Sequence, residues 1–353
     1  MIINLKLLER DIQSEPEVLD SLVKEIWRHS EDVVPKITNI KNVVLCGCGD
    51  SFFSAIAGGH MFRYFSGVPS FAEEAYEFAK YGLLQEKTLF IAISASGRTR
   101  TTIEAAGRAK QSGALVLAIT CNKECPLAEV SDSHIHLNIR DSTPIPILTS
   151  MGILTMLGAL SILLGFARNV LTADKYEAYR RDLMMIGDST KRAITTQDKI
   201  GGVADTLEGK RNIYLVGGGP NYASALFGMA KLRELNVSHS IAFELEEFLH
   251  YGNIPLNHGG VVILIACGES VERAQDAVWL LKKMGVEVFL IGNKNIGNVH
   301  QLEIPDIPEP LTVIPSLAIL HQIAIVMAKG RYGEKLSIKH GDYVSRIIRV
   351  TKK

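Results

Sequence analysis

The run Asn212-Ile-Tyr-Leu-Val216 is followed by Gly217-Gly-Gly-Pro220 and then by NYASALFGMAKLRE, residues 221–234. The first piece reads as a buried strand. The second is a glycine turn, and the third is a helix whose apolar residues Leu226, Met229, Ala230 and Leu232 recur at helical spacing. A strand, a glycine loop and a helix in that order place free N–H groups and a helix dipole at one point, where α/β proteins hold anionic ligands. The helix ends in Lys231-Leu-Arg-Glu234, and His250 follows sixteen positions after Glu234. A carboxylate and an imidazole near a phosphate cradle suit proton abstraction beside a carbonyl. Spacing alone also allows an exposed helical glutamate and an ordinary loop histidine.

The same pattern occurs earlier in the chain. Gly47-Cys-Gly-Asp-Ser51 follows the strand Asn42–Cys46, 170 residues before its counterpart at Gly217. Gly113-Ala-Leu-Val-Leu-Ala-Ile119 matches Gly285-Val-Glu-Val-Phe-Leu-Ile291 at an offset of 172. Ile147-Leu-Thr-Ser-Met-Gly-Ile-Leu154 matches Val313-Ile-Pro-Ser-Leu-Ala-Ile-Leu320 at an offset of 166. Three matches in one order at nearly one offset indicate a repeat of two α/β units with alternating strands and helices. The expected boundaries are an N-terminal helical segment over 1–40, a first domain over 41–169, a helical linker over 170–205, a second domain over 206–332 and a tail over 333–353. In the first segment a stripe through Leu7, Leu8, Ile12, Val18, Leu19, Leu22 and Ile26 predicts helix, with Pro16 opening a second one.

Composition narrows the function. The chain has 353 residues, 47% of them apolar and 22% charged, enough for a sizeable core. Lys plus Arg and Asp plus Glu both number 38, and without a basic cluster a nucleic-acid partner is not expected. The five cysteines lack zinc spacing and read as buried thiols in a reducing, cytoplasmic compartment. The N-terminus is charged too early for a secretory signal. Residues Thr149–Ala167 are uncharged over nineteen positions, nearly a bilayer span. The run is rich in Thr, Ser and Gly, no comparable span is evident elsewhere, and the preferred reading is a core helix rather than a membrane segment.

A further cradle follows the strand Leu89-Phe-Ile-Ala-Ile93. Ser94-Ala-Ser96-Gly97-Arg98-Thr99 leads into a helix from about Thr101. Helix capping needs one hydroxyl. Ser94, Ser96, Thr99, Thr101 and Thr102 exceed that need, so a phosphate dianion is the expected ligand.

With these motifs in place, the chain resembles the sugar isomerase (SIS) family, doubly wound α/β proteins that bind phosphosugars. Within it, the chain is most similar to the isomerase half of the glutamine–fructose-6-phosphate aminotransferases, from Leu8-Glu-Arg-Asp-Ile-Gln-Ser-Glu-Pro16 onward. The family's SxSGxT is met by Ser94, Ser96, Gly97 and Thr99, and its K-x-x-E by Lys231 and Glu234. Its histidine sixteen positions later is met by His250. The resemblance implies two tandem flavodoxin-like domains with parallel sheets. It implies phosphate held by Ser94, Ser96, Gly97 and Thr99, with Gly47, Cys48, Gly49 and Ser51 alongside. Lys231 would contact the sugar, Glu234 would move a proton between C1 and C2, and His250 would open the ring. It further implies a homodimer in which His250 serves the partner subunit's site. No cofactor is expected, and no metal either, since the phosphate and the amine carry the charge and no His/Asp cluster has ligand spacing.

Departures from the family shape the expected reaction. A glutaminase domain ahead of the first half is not expected, and nor is glutamine-derived ammonia. Before the apolar helix the family's glutamate and S-T-K run are replaced by Thr143-Pro-Ile-Pro-Ile-Leu-Thr149-Ser150-Met151, where Thr149 and Ser150 remain as substrate contacts. The family's C-terminal lysine is matched by Arg346, which stays protonated and forms no Schiff base. Lys339 and His340 are the nearby alternatives. The second half has Ala266-Cys-Gly-Glu-Ser270 in place of SxSGxT, and Glu269 there argues for one phosphate site per chain. Cys267 reads as a buried thiol, His134 and His136 as solvent-facing, and His258 as a loop residue of unassigned role. Glu244, Glu246 and Glu247 read as a solvated run, with Glu247 the one to watch, three positions before His250. The leading expectation is an enzyme on an amino or N-substituted ketose/aldose 6-phosphate, a deaminase or deglycase. A simple aldose–ketose isomerase and a non-catalytic sugar-phosphate sensor follow in that order.

Overall fold

The computed structural model describes residues 1–195, 197–210, 212–256, 260–339 and 341–350, without the side chains of 197, 198, 342, 343 and 345. His258 and His340 lie outside the described residues. In chain order the first elements are β1 (Ile2–Asn4), α1 (Leu5–Val33), β2 (Asn42–Gly47), α2 (Asp50–Met61), β3 (Ser70–Glu74) and α3 (Ala75–Tyr81). Then come β4 (Thr88–Ile93), α4 (Arg100–Gln111), β5 (Leu115–Thr120), α5 (Pro126–Val130), β6 (Ser133–His136), α6 (Leu148–Ala167), α7 (Ala173–Met184), α8 (Ile186–Ile194) and α9 (Gln197–Leu207). The second half holds β7 (Ile213–Gly217), α10 (Pro220–Glu234), β8 (Ile241–Glu244), α11 (Leu245–Glu247), β9 (Val261–Ala266), α12 (Ser270–Lys283) and β10 (Glu287–Gly292). It continues through β11 (His300–Glu303), α13 (Val313–Tyr332), β12 (Lys335–Ser337) and α14 (Gly341–Ile348).

The chain divides into two compact units, one of Met1–Ile2, Val18–Met184 and Ser337–Lys353, the other of Ile3–Glu17 and Met185–Leu336. In the first, the strand order is β3-β2-β4-β5-β6, all parallel. In the second it is β8-β7-β9-β10-β11, again all parallel. Each is therefore second strand, first, third, fourth, fifth: the same doubly wound order twice. Parallel strands covered on both faces lose the in–out alternation of half-exposed ones, and β4 and β9 are accordingly buried at every position.

The repeat extends to single contacts. A Cβ placed at Gly58 of α2 would lie 2.7 Å from Leu45 of β2 and 2.9 Å from Leu157 of α6. A Cβ at Gly228 of α10 would lie 2.5 Å from Leu215 of β7 and 3.0 Å from Leu320 of α13. In each unit glycine lets the first helix settle between its strand and the long apolar helix. On the other face of the first sheet, Val44, Phe78, Phe90 and Ala105 share a core; in the second unit Phe248, Val262, Leu264 and Val278 do so.

Both long apolar helices meet the length and hydropathy of a membrane span, with 83% of the apolar window of the first and 94% of that of the second buried. The second corrects the expectation that no other span is long and apolar enough for a membrane, and it is the helix that the repeat had matched to the first. Hydrophobic on all sides, each is the buried layer of its own unit. The N-terminus differs as well. Instead of a second helix opening at Pro16, α1 runs unbroken through it, and the division into units falls between Glu17 and Val18.

Candidate active site

In doubly wound sheets, ligands bind beyond the carboxyl ends of the strands where the strand order reverses. In the first unit that point lies between β2 and β4, and the loops leaving it are Gly47–Ser51 and Ser94–Thr99. The second loop is a turn closed by its own serines. Ser94 is buried; its Oγ accepts the Gly97 N–H at 3.1 Å and lies 3.1 Å from the Thr99 hydroxyl. Ser96 Oγ accepts the Arg98 N–H at 3.2 Å. Gly97 sits at φ +63°, and a Cβ there would strike Cys125, so only glycine fits. Thr99 occupies the N-cap of α4 without a side-chain cap to it, so its hydroxyl is not spent as an ordinary helix cap. Hydroxyls and first-turn amides thus gather at one helix start.

Across the loop, Cys48 is half-buried, its Sγ 3.2 Å from Glu74 Oε1 and 3.2 Å from the Thr101 hydroxyl. Burial, with the Glu74 carboxylate alongside, raises its pKa, so the thiol stays protonated and donates to Glu74. Cys267 is buried too and pushed up to about 12, also chiefly by burial, which fits an inert thiol.

Thr149 and Ser150 turn inward more than the sequence suggested. The Thr149 hydroxyl donates to Asp141 at 2.6 Å, and Ser150 donates to Asp50 at 3.0 Å. Asp141 also accepts the backbone N–H of Ile147 and Leu148, so it caps α6 from outside the helix. Burial raises the Asp141 pKa against those bonds. Sequence reasoning missed both aspartates, because a cap from Asp141 lies outside the usual N-cap position. It also missed what touches the Ser94–Thr99 loop. Thr99 forms an antiparallel bridge with Arg349, and the Val350 N–H donates to the Arg98 carbonyl at 2.9 Å. The tail thus meets this loop through its last described residues, while Lys339 and Arg346 are exposed.

In the second unit, Lys231 is 1% exposed and its Nζ donates to Glu234 Oε2 at 2.7 Å. Glu234 is 37% exposed, so one carboxylate reaches solvent while its cation stays buried. His250 lies in a π-helical turn, Phe248–Gly252, and is 69% exposed. The structure pairs it with Glu246, 3.3 Å away, one turn back. Arg273 grips Glu246 with two nitrogens at 2.7 and 2.8 Å and holds it below the usual carboxylate range. Glu247 instead hydrogen-bonds Tyr251, and Glu244 caps α11. Glu246 and Glu247 are exposed, as expected of a solvated run, and each of the three glutamates also engages a neighbour.

The loop that corresponds to SxSGxT in this unit carries its own anion. Gly268 has φ +58°, as Gly97 has +63°, but the Glu309 carboxylate occupies the turn and accepts the Glu269 N–H at 3.1 Å. An internal carboxylate thus stands on an amide of the kind an anion would use, and it belongs to Glu309 rather than to Glu269. His134, expected to face solvent, is half-buried with Nε2 2.8 Å from the Thr120 hydroxyl, and burial lowers its pKa. Among the described residues no three His, Cys, Asp or Glu side chains are placed to hold a metal ion.

Comparison with known proteins places this arrangement. The SIS domain matches twice, over residues 36–162 and 206–327. A glutamine–fructose-6-phosphate aminotransferase (isomerizing) from Thermococcus kodakarensis is 25% identical over 334 residues, 90% of this chain and 54% of its own length. Its counterpart from Bacteroides thetaiotaomicron is 28% identical over 309 residues, 83% of this chain and 50% of its own. The chain spans about half the length of the curated relatives it matches. Among solved structures, the C-terminal domain of glucosamine-fructose-6-phosphate aminotransferase from Francisella tularensis superposes with a TM-score of 0.81 at 18% identity, over 91% of this chain and 96% of that one. A glucosamine-6-phosphate deaminase from Thermotoga maritima gives 0.71 at 18%, over 91% and 95%. These likenesses carry the fold. With two domain matches covering most of its length, each on one of the two parallel sheets, the chain belongs to the SIS domain family.

Proposed function

We propose that this protein is a phosphosugar isomerase of the deaminase or deglycase type, acting on an amino or N-substituted ketose/aldose 6-phosphate such as glucosamine 6-phosphate or a fructosamine 6-phosphate. The observation that carries the reading is the Lys231–Glu234 pair, a part-exposed carboxylate held 2.7 Å from a buried ammonium. A carboxylate fixed beside a buried side chain, with one edge open to solvent, is placed to serve as a base at a sugar C1/C2 carbon. In this reading the 6-phosphate docks on Ser94, Ser96, Thr99 and the Gly47–Ser51 loop. His250 moves a proton on the ring oxygen, and Glu234 carries one between C1 and C2 through an enediol or enolamine. Amine leaves by hydrolysis of the imine. The names of the relatives, glutamine–fructose-6-phosphate aminotransferases and a glucosamine-6-phosphate deaminase, support this class over a sugar-phosphate sensor. Its setting would be cytoplasmic and its assembly a homodimer.

The purified protein, given glucosamine 6-phosphate, fructose 6-phosphate and a fructosamine 6-phosphate conjugate side by side, should release ammonia or the conjugated amine. Aldose–ketose interconversion without amine release would replace this reading with a simple isomerase. Binding without turnover would replace it with a sensor.

The phosphate assignment has its own check. Ser96→Ala combined with Thr99→Val should weaken every 6-phosphate ligand by about 10-fold or more for each hydroxyl lost, a hydrogen bond to a charged group being worth about 1.5–3 kcal/mol. The effect on kcat should be smaller, because these groups hold phosphate equally in ground and transition states. Unchanged affinity by calorimetry would move the phosphate elsewhere.

A further inference from the structure

The second unit has a cavity of about 370 Å³ at the edge of its sheet where strands begin and helices end. Its walls come from the turn before β7, the end of α10, the loop from α10 to β8, and the end of α13. Lys231 and Glu234 do not line it, so it is separate from the candidate base. Lys210, Arg233, His239 and Arg331 do line it, and no Asp or Glu joins them among the described residues.

The loop after α10 holds the two guanidinium groups. Asn236 takes the left-handed conformation at φ +53° and stops the helix. Its N–H donates to the Arg233 carbonyl at 2.9 Å, and the Val237 N–H donates to the Leu232 carbonyl at 3.0 Å. The loop carbonyls then face the arginines. Arg233 Nε donates to Ser240 at 2.8 Å, and Arg331 Nη1 donates to Val237 at 2.7 Å. Each guanidinium is thereby fixed through one nitrogen, and its other N–H groups are left over. Neither arginine pairs with an acid among the described residues. Elsewhere in this unit cations do find acids, as Lys329 finds Glu9 and Arg273 finds Glu246 and Asp276.

A cation at a helix C-terminus is common, because it offsets the helix dipole. That accounts for each arginine taken alone. It does not account for their meeting Lys210 on one acid-free concavity, where like charges repel and a bound anion relieves them. Ser238, in the same wall, has a buried hydroxyl without a hydrogen-bond partner. Arginine pairs match phosphate better than they match a compact halide, because the planar fork meets two oxygens at once. The volume also lies in the range of small-molecule pockets, about 300–1,000 Å³. We propose that this cavity binds a phosphate monoester of a small metabolite, with Arg233 and Arg331 on the phosphate. It is a second anion site, in the other unit from the Ser94–Thr99 loop.

The full chain, labelled with ¹⁵N in its arginines, is titrated by NMR with glucose 1-phosphate, AMP and inorganic phosphate in turn. The Arg233 and Arg331 Nε–H signals are assigned by their loss in Arg233→Lys and Arg331→Lys. Both signals should move together and saturate with a monoester, glucose 1-phosphate or AMP according to whether a sugar or a nucleoside fits. Arg233→Gln and Arg331→Gln should each weaken that binding by about 10-fold or more, read on the remaining arginine. His239 is exposed, so His239→Glu can place a carboxylate in the wall without disturbing the core, and it should weaken binding by a similar factor. His239→Gln should stay close to wild type. If an arginine variant does not fold, the contrast between His239→Glu and His239→Gln carries the test. Signals that stay still with all three probes overturn the site. So does a response to inorganic phosphate as tight as to either monoester, or an affinity that His239→Glu leaves unchanged. Ser96→Ala with Thr99→Val should not alter these shifts, and a shift lost in that variant would assign the effect to the first unit instead. A wild type that binds here but turns over no sugar 6-phosphate would count against the enzyme reading and leave this site standing.

Discussion

Glu234→Gln should lower kcat by about 10²–10⁴-fold while sugar-phosphate binding stays close to wild type. The amide keeps the length, the shape and an oxygen for the Lys231 ammonium 2.7 Å away, but it cannot accept a proton from carbon. The loss therefore isolates the base from the packing around it. Phosphate affinity should be spared, because the phosphate is assigned to the hydroxyl-rich start of α4 in the other unit. Stopped assays on the sugar phosphate, with binding measured separately by calorimetry, check both halves. A variant retaining more than a tenth of wild-type activity would show that Glu234 is not the base.

The second large effect concerns subunits. Glu234→Gln and His250→Asn, each inactive alone, should recover about a quarter of wild-type activity when unfolded and refolded together. The argument starts from exposure. His250 is 69% exposed, and its neighbours Tyr251 and Ile254 are 52% and 71% exposed. An imidazole presented on a surface with apolar neighbours suits delivery to a second copy of the chain. If the two residues serve sites in different subunits, a hybrid dimer has one doubly defective site and one intact site. Random pairing makes about half of the dimers hybrid, and each has one working site of two, hence about a quarter. If both residues serve the same subunit's site, every site keeps a defect and nothing returns. A mixture that stays inactive, with hybrids verified by native mass spectrometry, would refute sharing while leaving the chemistry of Glu234 standing.

What could be read from the sequence was what neighbouring residues decide. The turns at Gly47–Gly49 and Gly217–Gly219 announced two βα units, because a chain leaving a strand for a helix needs glycine within a few residues. The offset of about 170 residues announced the repeat, and the folded chain honours it down to Gly58 and Gly228, each set between a strand leucine and a helix leucine. The K-x-x-E spacing placed Lys231 and Glu234 one helical turn apart, and they do meet.

Only the tertiary structure decided which distant groups meet those local features. Glu309 fills the second cradle from 40 residues beyond Glu269. Asp141 caps α6 from outside it, Arg349 and Val350 reach Arg98 and Thr99, and Glu15 meets His321 across 306 positions. The physical reason is one of range. Turn chemistry and helical period act between residues a few positions apart, so they leave a mark in the order of amino acids. A buried carboxylate finds its partner through the packing of whole helices and sheets, which no short stretch of sequence records. The sequence therefore determined the two doubly wound domains and the candidate base, while long-range packing decided which partners the buried polar groups found.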